Sequence, residues 1–123
     1  DIGIAFQLVD DALDYAAREA LLGKTVGDDF ADGKITLPVL IAFAKGDEGE
    51  RAFWRRCLEA MEQREGDLAR AQALIERHGA VPATIARAQR HGDRAKQALA
   101  AFPRTAERAA LEGLVDFCIE RAF

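Results

Sequence analysis

The stretch FQLVDDALDY, Phe6 to Tyr15, places Asp10, Asp11 and Asp14 inside a segment that otherwise reads as the buried helix of a bundle. At about 100° per residue, Gln7, Asp10, Asp11, Asp14 and Arg18 fall within an arc of roughly 100°. Ile2, Phe6, Val9, Leu13, Ala16 and Ala20 occupy the opposite side, while Ile4, Leu8, Tyr15 and Leu22 make one flank apolar as well. A helix with so little polar surface is expected to turn its carboxylates toward a cavity. Three carboxylates at i, i+1 and i+4 can converge on one small volume, where repulsion and desolvation call for a cation. Oxygen donors with no His or Cys beside them select a hard ion, and Mg²⁺ in particular keeps waters and completes its shell with phosphates. The plainer reading of a DDxxD on a helix is a solvated acidic face, and the apolar flanks argue against it.

The rest of the chain agrees with a helical setting. Its 123 residues are 50% hydrophobic and 31% charged, with only three prolines and no run of alternating β-branched residues, which predicts an all-α domain or a large part of one. A formal charge of -4 gives no concentrated basic footprint for nucleic acid. No apolar stretch approaches the roughly 20 residues of a transmembrane helix, and nothing resembles a secretory signal, so a cytoplasmic location is expected. Cys57 and Cys118 lack His or Cys neighbours at metal-ligand spacing and read as reduced, buried thiols. The first residue is Asp1, with the helical pattern already running at Ile2, which suggests a chain cut from something longer.

Punctuation along the chain divides it into helices. The first is expected to run to about Leu22 and stop at Gly23, followed by a loop, GKTVGDDFADGK, Gly23 to Lys34, too polar and glycine-rich for a helix interior. Thr36 is then expected to cap a helix that tolerates Pro38 in its first turn, ends at Gly46 and is buried all round. Asp47 caps the next, reaching about Gln63, with Phe53, Trp54, Cys57, Leu58 and Met61 inward. Gly66 and Asp67 open another that ends near Gly79. A further helix runs from about Pro82 to Phe102, uncertain around Gly92, before Pro103 breaks it. Thr105 starts the last, with Leu111, Leu114, Val115, Cys118 and Ile119 inward. His78 and His91 read as surface or helix-end residues. Lys24 and Lys34 bracket the loop after the acidic stripe and could close on an anion, or could simply be solvated. Asp28, Asp29 and Asp32 could equally cap turns through local hydrogen bonds.

Taken together, GIAFQLVDDALDY followed by GKTVGDDFADGKITLPVL resembles the second aspartate-rich motif and downstream loop of the trans-isoprenyl diphosphate synthases, most of all the long-chain polyprenyl members that make quinone side chains. The likeness is specific over Gly3 to Leu40 and weaker beyond, where helical character and the ending LVDFCIERAF remain similar. It implies the C-terminal portion of the all-α isoprenoid synthase fold, and a prenyltransferase that adds isopentenyl diphosphate to an allylic diphosphate with Mg²⁺ as cofactor. By the same likeness Asp10, Asp11 and Asp14 are metal ligands and Asp29 supports the metal shell. Lys24 contacts the allylic diphosphate, Lys34 is a second candidate for that contact, and Phe6 and Gln7 lie beside the substrate. Homodimers are usual in the family. The family's first aspartate-rich motif and its upstream basic residues have no counterpart in this chain, so it holds half a site and is expected to be inactive alone. A non-catalytic subunit of a heteromeric synthase, a terpene cyclase or head-to-head synthase, and a simple helical Mg²⁺ or Ca²⁺ module are the alternatives. The intact DDxxD speaks against the first, and the spacing in VDDALD against a cyclase. Arg121 reads as a helix-end arginine.

Overall fold

The computed structural model describes residues 2–16 and 27–120, and every regular element among them is helical. In order these are α1 (Ile2–Leu13), a single turn α2 (Asp28–Ala31), α3 (Leu37–Lys45), α4 (Glu48–Trp54) continuing into a π-helical segment (Arg55–Glu59), α5 (Asp67–Arg77), α6 (Ala80–Leu99) and α7 (Ala106–Glu120). They divide into two compact units, one of residues 11–83 and the other of residues 1–10 with 84–123, so that α1 and α6 each contribute to both. None of the described helices is long and apolar enough to cross a membrane.

In the unit of residues 11–83, Trp54 lies edge-on to Phe53, with centroids 5.3 Å apart, and to Phe30 at 6.5 Å; Val39, Cys57, Leu74 and Ile75 complete the core around them. Asp47 caps α4 by accepting the Glu50 N–H at 2.9 Å, as its sequence position predicts. Beyond Trp54 the helix widens, with Ala60 N–H donating to the Arg55 carbonyl at 3.0 Å, and Met61 takes a left-handed conformation (φ 56°). The reason lies downstream. Arg56 forks onto Asp67 through two bonds of 2.9 and 3.0 Å and donates to the Glu62 carbonyl at 2.7 Å, drawing the π segment onto the start of α5. Met61 is consequently turned outward, against the inward position expected for it. Burial pushes the Cys57 thiol up to about 11, and the nearby Asp67 charge adds to the effect. Both cysteines are free and buried, as expected.

Three further expectations for this unit need correction. α1 stops at Leu13 rather than about Leu22: Tyr15 and Ala16 donate back to Ala12 and Leu13 in tightened bonds of 3.2 Å, and the Asp14 carbonyl accepts Gly27 N–H at 3.0 Å. The expected stop at Gly23 lies outside the described residues. The polar stretch expected to be all loop contains α2, entered through Gly27 in a left-handed conformation (φ 92°) and carrying Asp28 and Asp29 at the positive end of the turn. α3 begins after Thr36 and carries Pro38 early, as predicted, but it is not buried all round: Pro38, Val39 and Ala42 are, whereas Leu40 is half exposed. Its neighbours α4 and α5 cover only part of its circumference.

In the other unit, α6 passes straight through Gly92, and the absence of a side chain there is used: an added Cβ would lie 2.6 Å from Ile119 Cδ1 and 3.2 Å from Val115 Cγ1 of α7. Lys96 and Asp116 form an ion pair between the same two helices. Thr105 accepts the Arg108 N–H at 3.2 Å just before α7 begins. Val115, Cys118 and Ile119 are buried as predicted, but Leu111 and Leu114 are not. On α1 the buried side is Ala5 and Val9, whereas Phe6, expected inward, is exposed together with Ile4.

Candidate functional site

The acidic stretch at the end of α1 is organised by main-chain groups of α2. Asp14 is wholly buried, and its Oδ2 accepts the backbone N–H of Asp29 at 3.1 Å. The carbonyl of the same Asp14 takes the Gly27 N–H, so one residue holds the left-handed entry to α2 by two bonds. Asp29 is fixed from its other side too, its carbonyl accepting the Lys34 N–H at 2.9 Å. That bond brings the polypeptide back past the acids, and Lys34 Nζ sits 3.9 Å from Asp11 Oδ1. Asp11 is buried, while the Lys34 side chain remains 53% exposed. Lys34, expected to meet an anion, and Asp11, expected to hold a metal, thus lie within ion-pair distance of each other.

Tyr15 reports how closely the charges gather. Its ring lies in the core, and its buried hydroxyl has no hydrogen-bond partner among the described residues. Burial, then the charges of Asp14, Asp29 and Asp11 in that order, hold the phenol well above its ordinary pKa, so it stays protonated throughout the physiological range. Three carboxylates thus lie within electrostatic reach of one ring. Sequence reading placed Tyr15 only on an apolar flank. The available signal was that the single tyrosine of the chain directly follows the third aspartate.

The remaining predicted site residues are distributed as follows. Asp10 is half-buried on α1, and Phe6 and Gln7 are exposed on the same helix, in the unit that includes residues 1–10. Lys24 lies outside the described residues. Among the described residues, no three His, Cys, Asp or Glu side chains are gathered so as to hold a metal ion by themselves. Among the described residues the donor set is nonetheless oxygen-only, with Asp11 and Asp14 buried and the Lys34 ammonium facing Asp11. Such a set fits a hard divalent cation held by one or two carboxylates, with phosphate and water supplying the rest, and does not fit a closed protein cage.

Comparison with known proteins gives a consistent picture. The family model for polyprenyl synthetase matches residues 1–75. The octaprenyl diphosphate synthase of Haemophilus influenzae is 36% identical over 122 residues, covering 99% of this chain and 37% of that protein. A polyprenyl synthase from Caulobacter crescentus, solved with calcium and isoprenyl diphosphate, is 48% identical with a TM-score of 0.90, over 99% of this chain and 37% of its own. A decaprenyl diphosphate synthase from Rhodobacter capsulatus is 47% identical, also at 0.90, over 99% and 38%. The chain thus spans somewhat over a third of the length of these relatives. With the family model matching residues 1–75 and nearly the whole chain superposing on solved polyprenyl synthases, the chain belongs to the polyprenyl synthetase family.

Proposed function

We propose that this chain forms the second aspartate-rich half of a prenyltransferase site that joins isopentenyl diphosphate to an allylic diphosphate and builds a long all-trans polyprenyl diphosphate, of the kind used for quinone side chains. The observation that carries the reading is the contact of Lys34 with Asp11 beside Asp14, which is itself pinned to α2 through Asp29. Asp11 and Asp14 offer oxygens to a divalent cation, with Asp10 as the third ligand on the strength of the sequence pattern. The Asp29 N–H holds Asp14 in place, so the carboxylate does not have to be ordered when the cation arrives. Lys34, half exposed, is positioned to place its ammonium on outer diphosphate oxygens, and Lys24 serves the same anion. Gln7 and Phe6, exposed on α1, face the prenyl substrate near the reacting carbons.

Mg²⁺ is the proposed ion; when bound it supplies Lewis-acid stabilisation to the departing diphosphate. The calcium and isoprenyl diphosphate in the Caulobacter structure support a divalent cation together with a prenyl ligand. The names of the octaprenyl and decaprenyl relatives support a long product. A cytoplasmic, homodimeric complete enzyme belongs to the same proposal.

The reaction is tested by fusing the part of the Caulobacter synthase that carries the first aspartate-rich motif ahead of Asp1 and measuring incorporation of labelled isopentenyl diphosphate. Elongation is expected, with Asp11→Asn and Asp14→Asn each lowering kcat by at least a hundredfold while the helical signal is retained. A folded fusion that turns over equally well without these carboxylates would overturn their role.

A further inference from the structure

We infer that Gln63 is a positioning residue for the diphosphate site proposed above, its side-chain amide fixing the end of α2 and, through it, Asp14 and Lys34. Gln63 Nε2 donates to the Phe30 carbonyl at 2.7 Å and to the Cys57 carbonyl at 3.0 Å. An amide oxygen in that place would meet two other oxygens, so the side chain is held in one orientation. The bond to Phe30 spans 33 residues of sequence and ties α2 to the π-helical segment Arg55–Glu59. All of these residues belong to the unit of residues 11–83.

A purely local role would need only one of the two bonds. The bond to Cys57 satisfies a carbonyl near the end of a helix, where main-chain partners run out, a common task for a residue just past that end. The shorter bond, to Phe30, does nothing for that helix. It serves α2, a single turn too short to hold itself, of whose four residues only Phe30 is buried. The start of α2 is fixed by Asp14, which takes the Asp29 N–H at 3.1 Å and the Gly27 N–H at 3.0 Å. Gln63 supplies a fixed point at the other end. Lys34 follows, because its N–H donates to the Asp29 carbonyl at 2.9 Å.

The same stretch touches the loop a second time. Met61 adopts a left-handed conformation (φ 56°), unfavourable for a residue with a side chain, and its thioether lies against Gly33: a Cβ added at Gly33 would run into Met61 Sδ. Gly33 directly precedes Lys34. Gln63 at Phe30 and Met61 at Gly33 thus hold the turn that delivers the ammonium to 3.9 Å from Asp11. The inference rests on the reading of Asp11, Asp14 and Lys34 as half of a diphosphate site. Loosening α2 frees the Asp14 carboxylate and the Lys34 ammonium before the ligand arrives, and so weakens binding without removing a group that touches the ligand.

The test compares the wild-type 123-residue chain with Gln63→Met, close in size but without a donor. Gln63→Ala, which admits water to the two carbonyls, covers the case in which the first variant does not fold. Gln63→Lys restores a donor, and Ile75→Val in the buried core of α5 controls for a general loss of stability. Hydrogen exchange at the Asp29 and Lys34 amides is expected to be about tenfold faster in Gln63→Met and Gln63→Ala, to return toward wild type in Gln63→Lys, and to stay unchanged in Ile75→Val. Titration calorimetry with Mg²⁺ and inorganic diphosphate is expected to show about tenfold weaker binding in the methionine and alanine variants, and none of that loss in Ile75→Val. Unchanged exchange at Asp29 and Lys34, an equal change in Ile75→Val, or unaltered affinity in a variant whose exchange has risen would each overturn the role of Gln63 alone. Wild-type protein that binds no diphosphate would overturn the site itself, and with it the role given to Gln63 there.

Discussion

Asp14 shows how one side chain can serve both architecture and chemistry. Its carboxylate satisfies the Asp29 N–H, and removing that acceptor leaves a donor at the head of a one-turn helix. Asp14→Ala is therefore expected to lower stability by about 1–3 kcal/mol, and Asp14→Asn by less because its amide oxygen can still accept; urea denaturation of both variants checks this. Asp67 carries a pH dependence of definite sign. The fork from Arg56, then the Arg64 N–H, hold its carboxyl well below the usual range. Its contribution is complete above the unfolded carboxyl pKa of about 3.9 and is lost as pH falls below that value. Wild-type protein should lose stability on acidification below about pH 4 more steeply than Asp67→Asn, as measured by urea midpoints across that range. The sequence made the acids and Lys34 legible as chemistry, because charge type and helical spacing are local properties. It did not reveal Asp14 as the acceptor of Asp29 N–H, because that bond joins residues 15 apart and needs the fold to bring them together.

At the scale of elements, two glycines mark where backbone geometry decides the path. Gly27 enters α2 at φ 92°, and an added Cβ would lie 2.6 Å from Leu68 Cδ2. Gly27→Ala meets both a left-handed penalty and that contact, so a loss of about 1–3 kcal/mol in urea unfolding is expected. Gly92 is a different case: its φ is helical and only the space is short. A β-branched residue there must displace Ile119 and Val115, and Gly92→Val is expected to cost about 1–3 kcal/mol by the same measurement. Helix starts were read well where a side-chain cap sets them, as at Asp47 and Thr105, whereas Thr36 precedes α3 as expected but its hydroxyl makes no capping bond. Helix ends were read less well. The periodicity of α1 continues past Asp14, but the turn is closed by Gly27, a competitor that a sliding window cannot see. The π segment escaped for a related reason, since Arg56 reaches forward to Asp67 and no repeat in the intervening residues announces it.

For the whole molecule, the all-α class was legible from composition and period, and the family from the spacing of acids, glycines and lysines. What faces outward was not. Leu111, Leu114, Phe6 and Leu40 were assigned inward because periodicity says which residues share a side, and not whether anything in the chain covers it. The isolated chain is expected to give no elongation product with Mg²⁺, farnesyl diphosphate and isopentenyl diphosphate, and sustained turnover by it would refute the half-site reading. Mg²⁺ with inorganic diphosphate should still raise its melting temperature, by about 4 °C per kcal/mol of binding, through relief of repulsion among Asp11, Asp14 and Asp29. Asp11→Asn should shrink that shift.

The irregular stretch from Met61 to Gly66 lies largely exposed, yet the segments on either side of it are tied together repeatedly. Arg56 grips Asp67 across it, His78 Nε2 lies 2.6 Å from the buried Glu50 Oε1, and Lys45 Nζ donates to the His78 carbonyl at 3.3 Å. Covalent continuity is thus dispensable at this point. A protease cutting after Arg64 should produce two peptides that separate in denaturing gels but elute as one species from a native column, with the helical signal kept. The same stretch is expected to accept an inserted tag, or new chain termini.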